Sequence, residues 1–127
     1  IVAMDFDGDG KLEILTFSKF HGDTLAIWHE GQTRDRYEQV WCDPQKRSFL
    51  HALWAAALNG EKCAVIGNRK DGRDLLLVRY VDGEYTVDVI DHDLGPANCM
   101  VYRHDGSDYI VAAYRETDQL ALYKVVE

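Results

Sequence analysis

Met4-Asp5-Phe6-Asp7-Gly8-Asp9-Gly10-Lys11-Leu12-Glu13-Ile14-Leu15-Thr16-Phe17 is the stretch on which the fold turns. An apolar segment, residues 1–4, enters an acidic, glycine-bearing turn, and the chain leaves as a second apolar run. The same shape returns twice. Trp54-Ala55-Ala56-Ala57-Leu58-Asn59-Gly60-Glu61-Lys62-Cys63-Ala64-Val65-Ile66-Gly67 carries it around Asn59-Gly60. Met100-Val101-Tyr102-Arg103-His104-Asp105-Gly106-Ser107-Asp108-Tyr109-Ile110-Val111-Ala112-Ala113 carries it around Asp105-Gly106. Gly10, Gly60 and Gly106 mark a common register, fifty and then forty-six residues apart. Asn-Gly and Asp-Gly between apolar runs signal hairpins, because these residues tolerate the positive φ that tight turns demand.

The register continues outward. Leu25-Ala26-Ile27-Trp28, Leu75-Leu76-Leu77-Val78 and Leu120-Ala121-Leu122-Tyr123 each follow a polar turn and predict a third strand. Tyr37-Glu38-Gln39-Val40-Trp41 and Tyr85-Thr86-Val87-Asp88-Val89-Ile90 predict a fourth strand in the first two units. These runs are rich in the branched and aromatic residues that suit a pleated surface. Pro44 and Pro96 fall in the connections between units. Four short strands recurring every 45 to 50 residues are the pattern of β-propeller blades. The alanines of residues 50–58 favour a helix on propensity alone. The repeat sets this run opposite residues 97–104 and 1–5, so it is expected to be the innermost strand of a blade.

The expected fold is therefore all-β. It is a single, partial propeller domain of about three four-stranded antiparallel blades, at approximately 1–45, 46–94 and 95–127. The third unit stops short of a fourth strand, and three blades do not close a ring. The partners expected are the remaining blades or further copies of the chain.

Composition excludes several classes. The 127 residues carry 14 Lys plus Arg against 22 Asp plus Glu, a net charge of −8. A general nucleic-acid binder needs a basic footprint, and an anionic membrane surface selects against this balance. No apolar run approaches the length of about 20 residues that a membrane-spanning helix needs. Cys42, Cys63 and Cys99 are odd in number and widely spaced, which is no disulfide framework, and no C-x-x-C pair suggests zinc. There is no G-x-S-x-G nucleophile elbow and no phosphate-cradling G-x-x-x-x-G-K-[ST] loop.

Residues 5–13 read D-x-D-x-D-G-x-x-E. Alternate carboxylates on a tight loop converge on one point, as a hard cation requires of its several oxygen ligands. Asp5, Asp7, Asp9 and Glu13 are the candidate side-chain ligands of calcium, with the Lys11 carbonyl contributing. The last acid comes earlier than in an EF-hand, and strands rather than helices flank the loop.

Residues 5–17, D-F-D-G-D-G-K-L-E-I-L-T-F, resemble the repeat of FG-GAP or VCBS-type β-propellers, found in integrin α-chain heads and in many bacterial surface and carbohydrate-active proteins. In that family the loop binds calcium between the first two strands of a blade. The resemblance extends over all three units in strand pattern but only over the first in its metal motif. Ala55, Ala57 and Asn59 stand at the corresponding sites of the second unit, and Val101, Arg103 and Asp105 in the third.

Lys19, Arg69 and Arg115 share a register at the ends of the second strands. They are expected to form a partial ring of cations near the axis, able to receive a carboxylate or phosphate. His51 opens an innermost strand and His21 follows Lys19, so both are candidates for the same mouth. Trp54 and Tyr114 are expected in the core. The function expected is a calcium-stabilised binding or scaffold module, with an anionic carbohydrate or protein bound over the axis. The alternative is a carbohydrate lyase or dehydratase, a chemistry implied by the family resemblance. His51 would then be the base, and Arg69 and Arg115 would steady the developing oxyanion.

Overall fold

The computed structural model describes residues 1–18, 22–33 and 35–126. Among these residues it is all-β, with eleven strands in three antiparallel sheets. The first sheet runs β1 (Val2–Met4), β2 (Glu13–Ser18), β3 (Thr24–Glu30), β4 (Tyr37–Cys42). The second runs β5 (Leu50–Leu58), β6 (Glu61–Asn68), β7 (Leu75–Val81), β8 (Glu84–Asp91). The third holds β9 (Pro96–His104), β10 (Ser107–Tyr114) and β11 (Gln119–Lys124), with β10 in the middle. Within each sheet the strands pair in chain order, so each sheet is a meander. The alanine-rich run is the strand β5. Its side chains pack against adjacent strands on both faces, and that outweighs the intrinsic helical preference of alanine.

The turns follow their chemistry. Asn59-Gly60, Asp82-Gly83 and Asp105-Gly106 all hold positive φ at both positions, closing two-residue hairpins whose twist suits the flanking strands. Pro96 does not sit in a connection as its position suggested; it opens β9, where a missing N–H costs no ladder bond.

The second sheet is buried on both faces. Ala64, Ile66, Leu76 and Val78 join Leu15, Leu25, Ile27 and Phe6 in one core, between the first and second sheets. Cys63, Val65 and Leu75 face the other way and join Cys99, Ile110, Ala112 and Tyr114. The near-continuous apolar runs of β6 and β7 are the consequence, since neither face has water to meet. Trp54 departs from expectation. It lies on β5 with 41% of its surface exposed, beside Cys99, Met100, Val111 and Leu120 of the third sheet, while Tyr114 is buried as expected. Among the described residues no helix is long and apolar enough to cross a membrane.

Charged groups tie the sheets at their ends. Asp108, buried in the third sheet, accepts the Asn59 N–H of the second sheet at 2.7 Å and an Arg103 N–H at 2.9 Å. Arg47 and Asp43, both buried, pair at 3.0 Å in the connection between the first and second sheets.

Candidate metal centre

The connection between β1 and β2 is the acidic loop. Gly8 and Gly10 hold φ of 80° and 89°, a region closed to most side chains, and they let the loop double back. Phe6 anchors it, with its ring in the first core. Glu13 begins β2 on the same face as Leu15, and alternation carries it into the protein, where it is 0% exposed. Its Oε2 accepts the Phe6 N–H at 2.7 Å and, more weakly, the Asp7 N–H at 3.4 Å. Its Oε1 is buried and accepts no hydrogen bond. Burial pushes the Glu13 carboxyl above the ordinary carboxylate range.

Glu13 Oε1 faces a cluster. Donor atoms of Asp7, Asp9, Glu13 and His29 all lie within 4.8 Å of one another. His29 arrives from β3. Ile14 pairs with Trp28, so one step along the hairpin sets Glu13 opposite His29. His29 Nδ1 donates to the Glu30 carbonyl at 2.8 Å, and that bond fixes the ring. Nε2 then lies 3.0 Å from Asp9 Oδ2 and 3.6 Å from Glu13 Oε1. The Glu30 carbonyl, followed by Asp9, raises the imidazole above its ordinary value. Asp9 is held low, first by the Lys11 N–H that its other oxygen accepts and then by His29.

The structure brings together Asp7, Asp9 and Glu13 of the predicted ligands and adds His29. Asp5 is turned elsewhere. Its Oδ2 receives Lys62 Nζ of β6 at 2.7 Å and its Oδ1 the Gly8 N–H at 2.8 Å, and Lys62 holds its carboxyl low. Lys11 contributes its N–H to Asp9 at 2.8 Å. Three carboxylates and one imidazole suit a divalent cation, and the orphaned oxygen of Glu13 fits one directly. A backbone carbonyl on the far nitrogen of the imidazole is the arrangement that orients a ligating histidine.

The described residues among those expected around the axis have the following partners. Arg69 donates through Nε and a terminal nitrogen to Glu116 Oε1 at 3.1 and 2.8 Å, and its guanidinium lies 4.9 Å from the Phe49 ring centroid. His51 Nδ1 bonds the Ala97 carbonyl at 2.6 Å and its ring stacks on Phe49. Arg115 is exposed beside a shallow depression with Tyr114 and Leu120. Lys19 and His21 lie outside the described residues.

A cleft adjoins the cation cluster. It lies between β4 and the β7–β8 hairpin and has a volume of about 450 Å³. Asp7 and His29 form part of its lining, together with Trp41, Tyr80 and Tyr85. Burial and the carboxylates of Glu13 and Asp7 push the Tyr85 phenol well above its ordinary value.

Comparison with known proteins finds no matching family model, no matching curated protein and no matching solved structure.

Proposed function

We propose that the chain is a cation-stabilised β-propeller segment, a binding or scaffold module whose first blade is locked by calcium on the loop of residues 5–13. The observation that carries the reading is Glu13 Oε1: a buried carboxylate oxygen with no hydrogen-bond donor, aimed at Asp7, Asp9 and His29. The nearest charged group is the His29 imidazole at 3.6 Å, beyond hydrogen-bond reach, and a divalent cation would supply the direct contact that a buried carboxylate oxygen needs. Asp7, Asp9 and Glu13 would hold the ion, and it would add stability because it binds the folded state only.

Blades are supported by three features. The sheets are meanders in chain order, they pack face to face, and their first strands adjoin, β1 against β5 and β5 against β9. Further blades or further copies of the chain would complete the ring. The presence of His29 in the donor set favours a second reading, a transition metal such as zinc or manganese.

The test is isothermal titration of the chain with CaCl2, MnCl2 and ZnCl2, alongside Glu13→Gln and His29→Ala. Calcium binding that Glu13→Gln abolishes and His29→Ala spares supports the first reading. Zinc or manganese binding lost in both variants supports the second. A wild-type chain silent to all three metals refutes the cation site.

A further inference from the structure

We propose that the cleft between β4 and the β7–β8 hairpin binds a neutral sugar, whose hydroxyls reach the cation site while its apolar face lies on Trp41 and Tyr80. The inference rests on the cation-site reading above and assigns that site a ligand.

The cleft of about 450 Å³ falls within the range of small-molecule sites. Its wall is aromatic. The Trp41 and Tyr85 ring centroids are 5.7 Å apart at 44°, and those of Tyr80 and Tyr85 are 4.8 Å apart at 60°. The three rings thus form one bent surface. The electron-rich faces of such rings attract the polarised C–H groups on the apolar side of a pyranose. Asp7 and His29 also line the cleft, and both belong to the cation cluster. A cation held by Asp7 therefore borders the cleft, where sugar hydroxyls would serve as hard oxygen ligands. Glu84 lines the cleft as well, and its carboxylate can accept hydrogen bonds.

Charge selects the class of sugar. Among the described residues no lysine or arginine lines the cleft, while Asp7 and Glu84 do. A uronate, sulfate or phosphate group would meet Asp7 and Glu84 with no lysine or arginine to receive it, His29 is engaged by Asp9 and Glu13, and the charge of a divalent cation is outnumbered by the carboxylates of Asp7, Asp9 and Glu13. A neutral polyol satisfies the acceptors and the cation together. This places a ligand on the side of the molecule between the first and second sheets, away from Arg69 and Arg115.

The experiment is saturation-transfer NMR on the full chain with three probes, methyl α-D-mannopyranoside, methyl β-D-galactopyranoside and methyl β-D-glucopyranoside. Each is measured in CaCl2 and in EDTA, with choline chloride as a cationic control. The expected result is transfer to at least one glycoside in calcium. Affinity should weaken about tenfold in Tyr80→Ala and in Glu84→Ala, variants whose calcium titration and circular dichroism match wild type. No transfer to any glycoside on a protein that binds calcium overturns the sugar inference and leaves the cation site standing. Absence of calcium binding overturns both. Equal transfer in EDTA, unchanged affinity in both variants, or transfer to choline alone each overturns the proposal.

Discussion

At the residue scale, Glu13 carries opposed demands. Its folded carboxyl value lies above the ordinary one because of burial, so the folded state holds a proton more firmly than the unfolded state does. In the absence of cation, its contribution to stability is therefore present at low pH and is lost as pH rises through the raised value. Gln at this position keeps an acceptor for the Phe6 N–H and removes the buried charge. Glu13→Gln is expected to melt above wild type in EDTA at neutral pH and below it in calcium, read by thermal unfolding in both buffers. The cysteines give a second check. Burial pushes the Cys63 and Cys99 thiols up to about 11 and about 12, whereas Cys42 is exposed. Native protein at pH 8 should take one equivalent of iodoacetamide, and unfolded protein three, by intact mass. The carboxylates of the cluster are legible in the sequence because alternate acids on a glycine loop converge by local geometry. His29 is not, because its place depends on the β2–β3 register. Once Leu15 is set opposite Ile27, the same face carries Glu13 and His29 together. The diversion of Asp5 has no local signal at all, since Lys62 lies 57 residues away.

At the scale of elements, the middle sheet decides stability. Ile66 is fully buried in the first core, and Ile66→Ala is expected to cost about 2–5 kcal/mol by denaturant unfolding. Gly67, next to last in β6, lies beside Pro96, and a Cβ built there would come within 2.4 Å of the proline ring. Both atoms belong to stiff groups, so Gly67→Ala is expected to push the third sheet from the second, costing about 1–3 kcal/mol in the same assay. Strand identity was readable from turn chemistry and repetition, including β5 against its alanine propensity. Exposure was less so. Trp54 shares a face of its strand with buried Ala52, so alternation assigns both to the core, yet the indole is too large for the neighbouring third sheet to cover it and it stays 41% exposed.

At the scale of the molecule, the two cores share one sheet. Ala64 and Cys63 are neighbours in the chain and lie in different cores. Opening either core strips one face of the same four strands. The chain is therefore expected to unfold in a single transition, with far-ultraviolet circular dichroism and tryptophan fluorescence coinciding. Separate midpoints would show that the sheets are thermodynamically independent. Asp108 acts across the same boundary, and Asp108→Ala leaves the Asn59 N–H without its buried acceptor, at an expected cost of about 1–3 kcal/mol in urea. The number and order of sheets follow from the repeat in the sequence. The ion pairs that join them do not, because each couples residues that only the packed arrangement makes neighbours.

The Lys62–Asp5 contact has a mechanical meaning as well. It is a strap from the second sheet to the mouth of the acidic loop, made by one ammonium and one carboxylate at 2.7 Å. Partly exposed charges are screened by salt, with a Debye length that falls from about 30 Å at 0.01 M to about 3 Å at 1 M. Ionic strength is thus a dial on how tightly the loop is moored, independent of any ion it binds. Raising NaCl from low to high should speed amide hydrogen exchange at Gly8, whose N–H rests on the strapped carboxylate, while amides of β6 keep their protection. In Lys62→Met the mooring is gone, and the Gly8 rate should no longer respond to salt.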